Sequence, residues 1–484
     1  MSYLDPQPSE EADNIVARRH EAPDVLPTNE RCEAKDISLF GRTNYSSGYG
    51  SKKWIFGIKR KDRLRHLYVI GKSGVGKTKL LELLIRSDVF FGHGGCVIDP
   101  HGDLVQAVLD FTPKERLDDI VVINPGDREY PISFNPISNV SEEDRFPVTN
   151  EMIEIFKKQF ASDWSPRIEH LLRFTTLAMI DYPNGTINGM VSLLSSGQFR
   201  GKVIEHIKDS VVRRFWAIEF PEWSQRYDAE AVSPLLNKLG QLLADPLMRN
   251  IFGQQENKID FFEFMQKKKF VLVNLAKGPL GDDVSAFFGA VLITKIKQSA
   301  MKRVTVSESE RFPFYLYVDE FQNIATKSFE NLLAEARKFG IALTMANQNL
   351  SQISPSLKAS LFGNVASLVS FQISSDDAQI LQNELAPVFE FFDIINLAAR
   401  EIYVKMSIDG KRYDPFSAEV LNVTEAKHDS FSDHIIAHSR QTYASKKEDV
   451  QRLLEGGDAS SVKNGSGIMQ AQEAPAVSMD DIIV

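Results

Sequence analysis

The sequence is poor in cysteine and has no long apolar run. Only Cys32 and Cys96 occur among the 484 residues, which is too few for a disulfide framework and favours a reducing compartment. No stretch approaches the roughly 18 apolar residues that a membrane-spanning helix needs. The stretch 286–296 is short, contains a lysine and is predicted to be a buried helix. Because the first residues also lack a signal-peptide pattern, we expect a cytoplasmic protein without a membrane span.

An excess of positive charge is missing as well. The net charge of −9 excludes a globally basic nucleic-acid coat, so any contact with DNA must come from local patches. One basic run is present, and it could either contact the phosphates of a polynucleotide or be a solvated loop. The run consists of Lys59, Arg60, Lys61, Arg63, Arg65 and His66. The sequence leaves these two interpretations open.

The periodicity of apolar residues predicts an α/β protein. Strand and helix patterns alternate over 67–124 and again over 270–406, which indicates a mostly parallel sheet with right-handed crossovers. Residues 141–253 have helical periodicity without β-rich segments, so we expect an all-α domain inserted into the α/β domain. The predicted organisation is a disordered segment at 1–35, a first part of the core at 36–140, the all-α insertion at 141–253, a second part of the core at 254–428, a C-terminal helix at 429–455 and a disordered acidic tail at 456–484.

A glycine-rich loop lies between the apolar strand 67–70 and a helical pattern that begins near residue 80. Its spacing, G-x-x-x-x-G-K-T, is that of a phosphate-binding P-loop. Glycines let backbone N–H groups turn inward around phosphates, and the following helix adds its positive end. We expect Lys77 to reach the β- and γ-phosphates of ATP and Thr78 to bind Mg²⁺. The predicted nucleotide-binding residues are Gly71, Lys72, Ser73, Gly74, Val75, Gly76, Lys77 and Thr78.

Polar side chains that could complete an ATPase site follow two later strands. Asp319 and Glu320 end the apolar strand that starts at Phe314. Buried adjacent carboxylates are costly without a cation, so we expect Asp319 to hold Mg²⁺ and Glu320 to orient or deprotonate the attacking water. Gln348 follows the next strand and could contact the γ-phosphate or its water, although a capping amide would look the same.

Three further charged residues have roles that the residues alone leave open. Arg337 could be an exposed helix charge, or it could stabilise transition-state charge at a nucleotide bound by a neighbouring subunit or by its own. Asp99 and Asp103 follow the strand 95–99 and could organise the P-loop or the water around Mg²⁺. Alternatively, Asp103 would cap the helix that begins near Leu104.

Together these segments resemble the HerA/FtsK superfamily of ring-shaped DNA pumps. The closer likeness is to the type IV secretion coupling proteins, which are conjugative DNA-transfer ATPases. It is carried by the P-loop, by Ile98-Asp99-Pro100-His101-Gly102-Asp103-Leu104, by Asn274-Leu275-Ala276-Lys277-Gly278, by Val318-Asp319-Glu320-Phe321 and by Ala336-Arg337-Lys338-Phe339-Gly340 leading into Ala346-Asn347-Gln348. The likeness covers roughly residues 38–425.

The resemblance implies a RecA-like core, a homo-hexamer with ATP bound between subunits, Arg337 acting on the neighbouring subunit's ATP, and Gln348 acting as a sensor. It also implies DNA as a partner, and a relaxase or secretion-machinery protein bound through the helical domain or the tail. Membrane-anchored members carry transmembrane helices that this sequence lacks, so docking at the inner membrane would be peripheral. We expect a motor that hydrolyses ATP to move DNA through a ring. The alternative is a nucleotide-switched platform that recruits a protein or nucleoprotein substrate.

Overall fold

The computed structural model describes residues 17–46, 52–160, 164–426 and 428–455. The predicted disorder at 1–16 and the predicted acidic tail at 456–484 lie outside these residues. Among the helices that are described, none is both long enough and apolar enough to span a membrane.

The centre of the fold is one large sheet flanked by helices. The strands are β1 Ile37–Thr43, β2 Ile55–Lys59, β3 Leu67–Ile70, β4 Gly94–Asp99, β5 Ile120–Ile123, β6 Phe270–Asn274, β7 Phe314–Val318, β8 Ile341–Asn347, β9 Ser367–Ser370, β10 Glu401–Lys405, β11 Ser407–Ile408, β12 Lys411–Arg412 and β13 Phe416–Val420. Within the described residues, eleven of them form a sheet in the order β2-β1-β13-β10-β9-β3-β8-β7-β4-β6-β5. The strands from β9 to β5 are parallel, and β10, β13, β1 and β2 extend the sheet in antiparallel fashion. The predicted α/β class with a mostly parallel sheet is confirmed.

Helices cover both faces of the sheet. They are α1 Arg60–Arg63, α2 Lys77–Phe90, α3 Asp103–Phe111, α4 Arg145–Phe160, α5 Pro166–Asp181, α6 Ile187–Ser195, α7 Gly197–His206, α8 Ser210–Arg214, α9 Phe220–Tyr227, α10 Ser233–Ala244, α11 Pro246–Phe252, α12 Phe261–Gln266, α13 Lys277–Leu280, α14 Asp282–Lys302, α15 Lys327–Glu335, α16 Pro355–Asn364, α17 Ser375–Leu385, α18 Phe391–Ile395, α19 Ser432–Tyr443 and α20 Lys447–Leu454. Between β5 and β6, the described residues form helices and connecting segments without a strand. We call the helices α4–α11 the helical insertion.

Strand β3 shows why the sheet is buried on both sides. Its side chains alternate, so that Leu67 and Val69 pack with α2 while Tyr68 and Ile70 face the opposite core. That second core also contains the buried residues of the helical insertion. A strand with two buried faces must be apolar throughout, which is the pattern of parallel sheets.

The predicted disorder of residues 17–35 is wrong. Ala17 and Leu26 are buried, and the Tyr403 hydroxyl donates a hydrogen bond of 2.8 Å to the Arg18 carbonyl. The His20 amide donates to Ser417 Oγ over 3.0 Å. The segment therefore packs along β10 and β13, strands more than 350 residues away in sequence, and its polar composition gave no sign of these contacts.

The prediction of one helix over 429–455 is also wrong, because the chain forms α19 and α20 with a break between them. At the break, Ala444 pairs with Ile132 and the Ser445 amide donates to the Pro131 carbonyl over 3.1 Å. Backbone groups that bond to another segment cannot bond within a helix, so the helix stops there.

Neither interpretation of the basic run describes Arg60 and Arg63. Both are buried and form ion pairs with the fully buried Asp88, with Arg63 Nη1 2.8 Å from Asp88 Oδ1. The Tyr317 hydroxyl donates to the other carboxylate oxygen over 2.5 Å. This cluster joins α2, which follows the P-loop, to strand β7, and neither arginine is available to contact DNA. The two flanking lysines, Lys59 and Lys61, pair with Asp409 instead.

Candidate nucleotide-binding site

Four neighbouring strands deliver the predicted site residues to one edge of the sheet. In the order β3, β8, β7 and β4, their carboxyl ends lead into the P-loop, Gln348, the Asp319–Glu320 pair and Asp99. These elements border a cleft of about 390 Å³. Its lining residues are Ser73, Gly74, Gly76, Lys77, Thr78, Lys79, Asp99, His101, Asp103, Leu104, Asp319, Glu320 and Gln348. The carboxyl edge of a parallel sheet is where such folds bind ligands.

The P-loop has the backbone geometry of a phosphate site. Gly74 (φ 78°) and Gly76 (φ 118°) adopt left-handed conformations that other residues rarely adopt, and α2 begins directly after Gly76 at Lys77. The Lys77 ammonium donates to the carbonyls of Gly71 (2.6 Å) and Lys72 (2.9 Å). Burial lowers the pKa of Lys77, because the buried ammonium has lost much of its hydration. A phosphate beside the ammonium would stabilise its charge more strongly than the two carbonyl groups do.

The Asp319 carboxylate lies in an environment that suits a cation. Asp319 and Glu320 are only 6% and 7% exposed. Burial raises the pKa of Asp319 to about 6, and the nearby charges of Glu320 and Asp99 act in the same direction. A divalent cation would relieve this repulsion, and Thr78 lines the same cleft. The donor set therefore fits Mg²⁺ held by Thr78 and Asp319.

Glu320 is held by two amide side chains. Gln348 Nε2 donates to Glu320 Oε1 over 2.8 Å, and Gln322 Nε2 donates to Oε2 over 2.7 Å. Glu320 itself has φ 46° and ψ 46°, a conformation that costs a non-glycine residue of the order of 1–3 kcal/mol. The carboxylate is thus fixed in direction by both its backbone and its partners. Sequence reasoning missed Gln322, although an amide two residues after the predicted base was a usable signal.

Asp99, and not Asp103, caps the helix α3. The Asp99 carboxylate accepts hydrogen bonds from the amides of His101 (2.9 Å), Leu104 (2.9 Å) and Val105 (3.0 Å). The interpretation of Asp103 as the capping residue is wrong, because Gly102 occupies the cap position and Asp103 already belongs to the helix. Asp103 lines the cleft instead.

Arg337 is not brought to this cleft. It is exposed and precedes β8, whereas the P-loop follows β3, and these two neighbouring strands are parallel. Seven residues of β8 separate the two edges of the sheet, a distance of about 20 Å. Burial, together with the charge of Arg337, lowers the pKa of His66 to about 4, and His66 lies at the start of β3. Arg337 therefore belongs to the amino edge of the sheet, which is the wrong edge for its own subunit's cleft.

The substitution Asp319→Asn is expected to stabilise the nucleotide-free protein at pH 8 by about 1–3 kcal/mol. In the folded wild-type protein the pKa of Asp319 is raised from 3.8 to about 6, so the fold favours the protonated carboxyl group. This contribution to the free energy of unfolding is present at low pH and is lost as the pH rises through 6. A shift of this size corresponds to about 3 kcal/mol, and asparagine removes the titration. Urea unfolding of both proteins at pH 4 and pH 8 measures the difference, which should shrink at pH 4. The exposed Asp118→Asn is the control. A variant less stable than wild type at pH 8 would contradict the expectation.

A P-loop beside a strand that ends in paired carboxylates, on a mostly parallel sheet, defines the class of P-loop NTPases. Residues 56–380 match the family described as the type IV secretion-system coupling protein DNA-binding domain. The match covers more than half of the chain, so the chain belongs to this family. None of the curated proteins matches it.

Solved structures share the fold at low sequence identity. The plasmid coupling protein TrwB in complex with the non-hydrolysable ATP analogue ADPNP is 15% identical, with a TM-score of 0.57 over 78% of this chain and 90% of that one. TrwB in complex with ADP and Mg²⁺ is 15% identical, with a TM-score of 0.55 over 78% and 89%. VirB4 of Thermoanaerobacter pseudethanolicus is 12% identical, with a TM-score of 0.53 over 80% and 97%. The RecA-like fold that the sequence resemblance implied is confirmed.

Proposed function

We propose that the chain is an ATPase that hydrolyses ATP at this cleft to move DNA through a hexameric ring. The observation that carries the proposal is the meeting of the P-loop, the Asp319–Glu320 pair and Gln348 at one edge of the sheet. The family supports DNA as the partner, and the solved TrwB structures contain an ATP analogue or ADP with Mg²⁺.

The residues have distinct roles in this proposal. The P-loop amides and Lys77 bind the phosphates of ATP, and Thr78 and Asp319 hold Mg²⁺, which neutralises charge on the phosphates. Glu320 orients the attacking water and accepts its proton. Gln348 links that base to the γ-phosphate, because the same amide already donates to Glu320. Hydrolysis would remove the phosphate contact and leave this hydrogen bond.

Arg337 would act on the ATP of a neighbouring subunit. Its position at the amino edge of the sheet, about 20 Å from its own P-loop, leaves its side chain exposed and far from its own cleft. In a ring, the amino edge of one subunit can face the cleft of the next, and a positive charge supplied there stabilises the transition state. An exposed arginine at the amino edge of the sheet therefore fits a ring in which each subunit completes the site of the next one.

Duplex or single-stranded DNA is expected to stimulate ATP hydrolysis at low salt, and Lys77→Ala should abolish both basal and stimulated turnover. Low salt matters because contacts with DNA phosphates weaken steeply as salt rises. Phosphate release with and without DNA, over a salt series, measures the effect. The exposed Lys72→Ala tests charge loss elsewhere in the same loop. Turnover that neither form of DNA changes would contradict the motor and favour the nucleotide-switched docking platform.

A further inference from the structure

The loop that follows Glu320 is held by a lysine from the helical insertion. Lys158, near the end of α4, places its ammonium 3.3 Å from the Gln322 carbonyl, 2.8 Å from the Asn323 carbonyl and 2.8 Å from the Ala325 carbonyl. An ammonium has three donors, and here each one finds a backbone acceptor. The acceptors lie in and just after the short 3-10 helix Phe321–Asn323, whose last carbonyls have no partner within a helix.

One of these acceptors belongs to a residue that also contacts the predicted catalytic base. Gln322 accepts from Lys158 through its backbone carbonyl and donates from its side chain to Glu320 Oε2 over 2.7 Å. Gln322 thus connects Lys158 of the helical insertion to the Glu320 carboxylate through two hydrogen bonds. A shift of Lys158 would move the backbone of Gln322, and with it the amide that aims Glu320.

The helix that carries Lys158 is fixed to the core two turns earlier. Glu151 accepts from Lys297 Nζ over 3.0 Å and from Ser328 Oγ over 3.3 Å, so α4 is anchored to α14 and α15. Residues 151 and 158 are seven apart and therefore lie on the same face of the helix. Desolvation lowers the pKa of Lys158 to about 8, while the residue as a whole is exposed and its three hydrogen bonds are open to solvent. The three hydrogen bonds to backbone carbonyls place the charged end of Lys158 on the loop.

We propose that Lys158 is a positioning residue for Glu320, through which the helical insertion sets the geometry of the carboxylate for hydrolysis. The proposal rests on ATP hydrolysis at the cleft. It gives the insertion a part in catalysis besides any binding role, since a partner or DNA that moves α4 would change the rate of hydrolysis without touching the nucleotide. Lys158 does not line the cleft, so it should have little effect on ATP binding itself.

The test compares Lys158→Met, Lys158→Arg and Lys157→Met in the full-length protein. Methionine keeps the length of the side chain without its donors, arginine keeps donors, and Lys157 is an exposed neighbour on the same helix. We expect Lys158→Met to lower kcat for ATP roughly tenfold to a hundredfold, the size of a small misplacement of a catalytic group. The KM for ATP and the affinity for a fluorescent ATP analogue should stay within about twofold. Arginine should restore much of the rate, and Lys157→Met should have the wild-type rate.

A double-mutant cycle with Gln322→Ala separates positioning from general stability. If Lys158 acts through Gln322, the double variant should be no slower than the slower single variant, whereas independent losses would multiply. A wild-type kcat in Lys158→Met, or multiplicative losses, would overturn the proposal while leaving the ATPase intact. Absence of turnover in the wild-type protein, with or without DNA, would overturn the ATPase function and this proposal together.

Discussion

Replacing Glu320 by glutamine is expected to lower kcat for ATP by about 10²–10⁴-fold, because the amide cannot accept the proton of the attacking water. The substitution keeps the size of the side chain, and its remaining oxygen can accept from one of the two amides, Gln348 or Gln322, which donate to different oxygens of Glu320. The P-loop does not depend on this carboxylate for its geometry, so ATP should still bind. Single-turnover hydrolysis and the affinity for a fluorescent ATP analogue measure the two effects separately.

The control for this variant is Glu335→Gln, which removes the charge of an exposed carboxylate on α15. It should leave both hydrolysis and ATP affinity unchanged. A rate within about threefold of wild type in Glu320→Gln would show that another group accepts the proton, and Asp319 would then be the nearest candidate. Loss of ATP affinity together with the rate would show that Glu320 supports the P-loop instead.

The cleft could be predicted from the sequence because its parts are local signals placed by one rule of sheet geometry. The P-loop has a fixed spacing, and Asp319, Glu320 and Gln348 each follow an apolar strand. The carboxyl ends of parallel strands meet at one edge, so residues nearly 280 apart come together once their strands are adjacent. The strand order β3-β8-β7-β4 makes these strands neighbours, and this order cannot be read from the spacing of the motifs in the sequence.

The contacts that sequence reasoning missed depend on packing between distant segments. Nothing in the basic run shows that Arg60 and Arg63 turn inward to Asp88, since a run of charges is usually solvated. Lys158 lies more than 160 residues from the loop that it holds, and one lysine at the end of an amphipathic helix carries no signal. Residues 17–35 are polar in composition, yet they pack because β10 and β13 offer hydrogen-bond partners. Each of these contacts can be recognised only in the tertiary structure.

The position of Arg337 removes one of the alternatives that the sequence left open. From the sequence, an arginine before β8 could be an exposed helix charge, or it could serve its own site or a neighbour's. The strand length places it about 20 Å from its own P-loop, which excludes direct contact with its own nucleotide. If Arg337 takes part in hydrolysis, the active unit must contain at least two chains, and that requirement can be tested without knowing the ring size.

Mixing Arg337→Ala with Glu320→Gln is expected to restore hydrolysis that neither variant has alone. Each pure variant should lose about 10³-fold or more of the rate, because Arg337→Ala lacks the arginine and Glu320→Gln lacks the base. In a mixed ring, an Arg337→Ala subunit keeps Glu320, and a Glu320→Gln neighbour supplies Arg337. With equal amounts and random assembly, about a quarter of the sites are complete, so about a quarter of the wild-type rate should return.

The matched control for this experiment mixes Lys77→Ala with Glu320→Gln, whose changes both lie in the same subunit's half of the site. Every site in that mixture lacks either the P-loop lysine or the base, so its rate should stay at the sum of the two pure variants. If the Arg337→Ala mixture also stays at that sum, Arg337 does not act across a subunit boundary. Because its position already excludes its own cleft, that result would remove Arg337 from the catalytic residues altogether. Recovery in the first mixture alone would place Arg337 of one subunit at the nucleotide of the next.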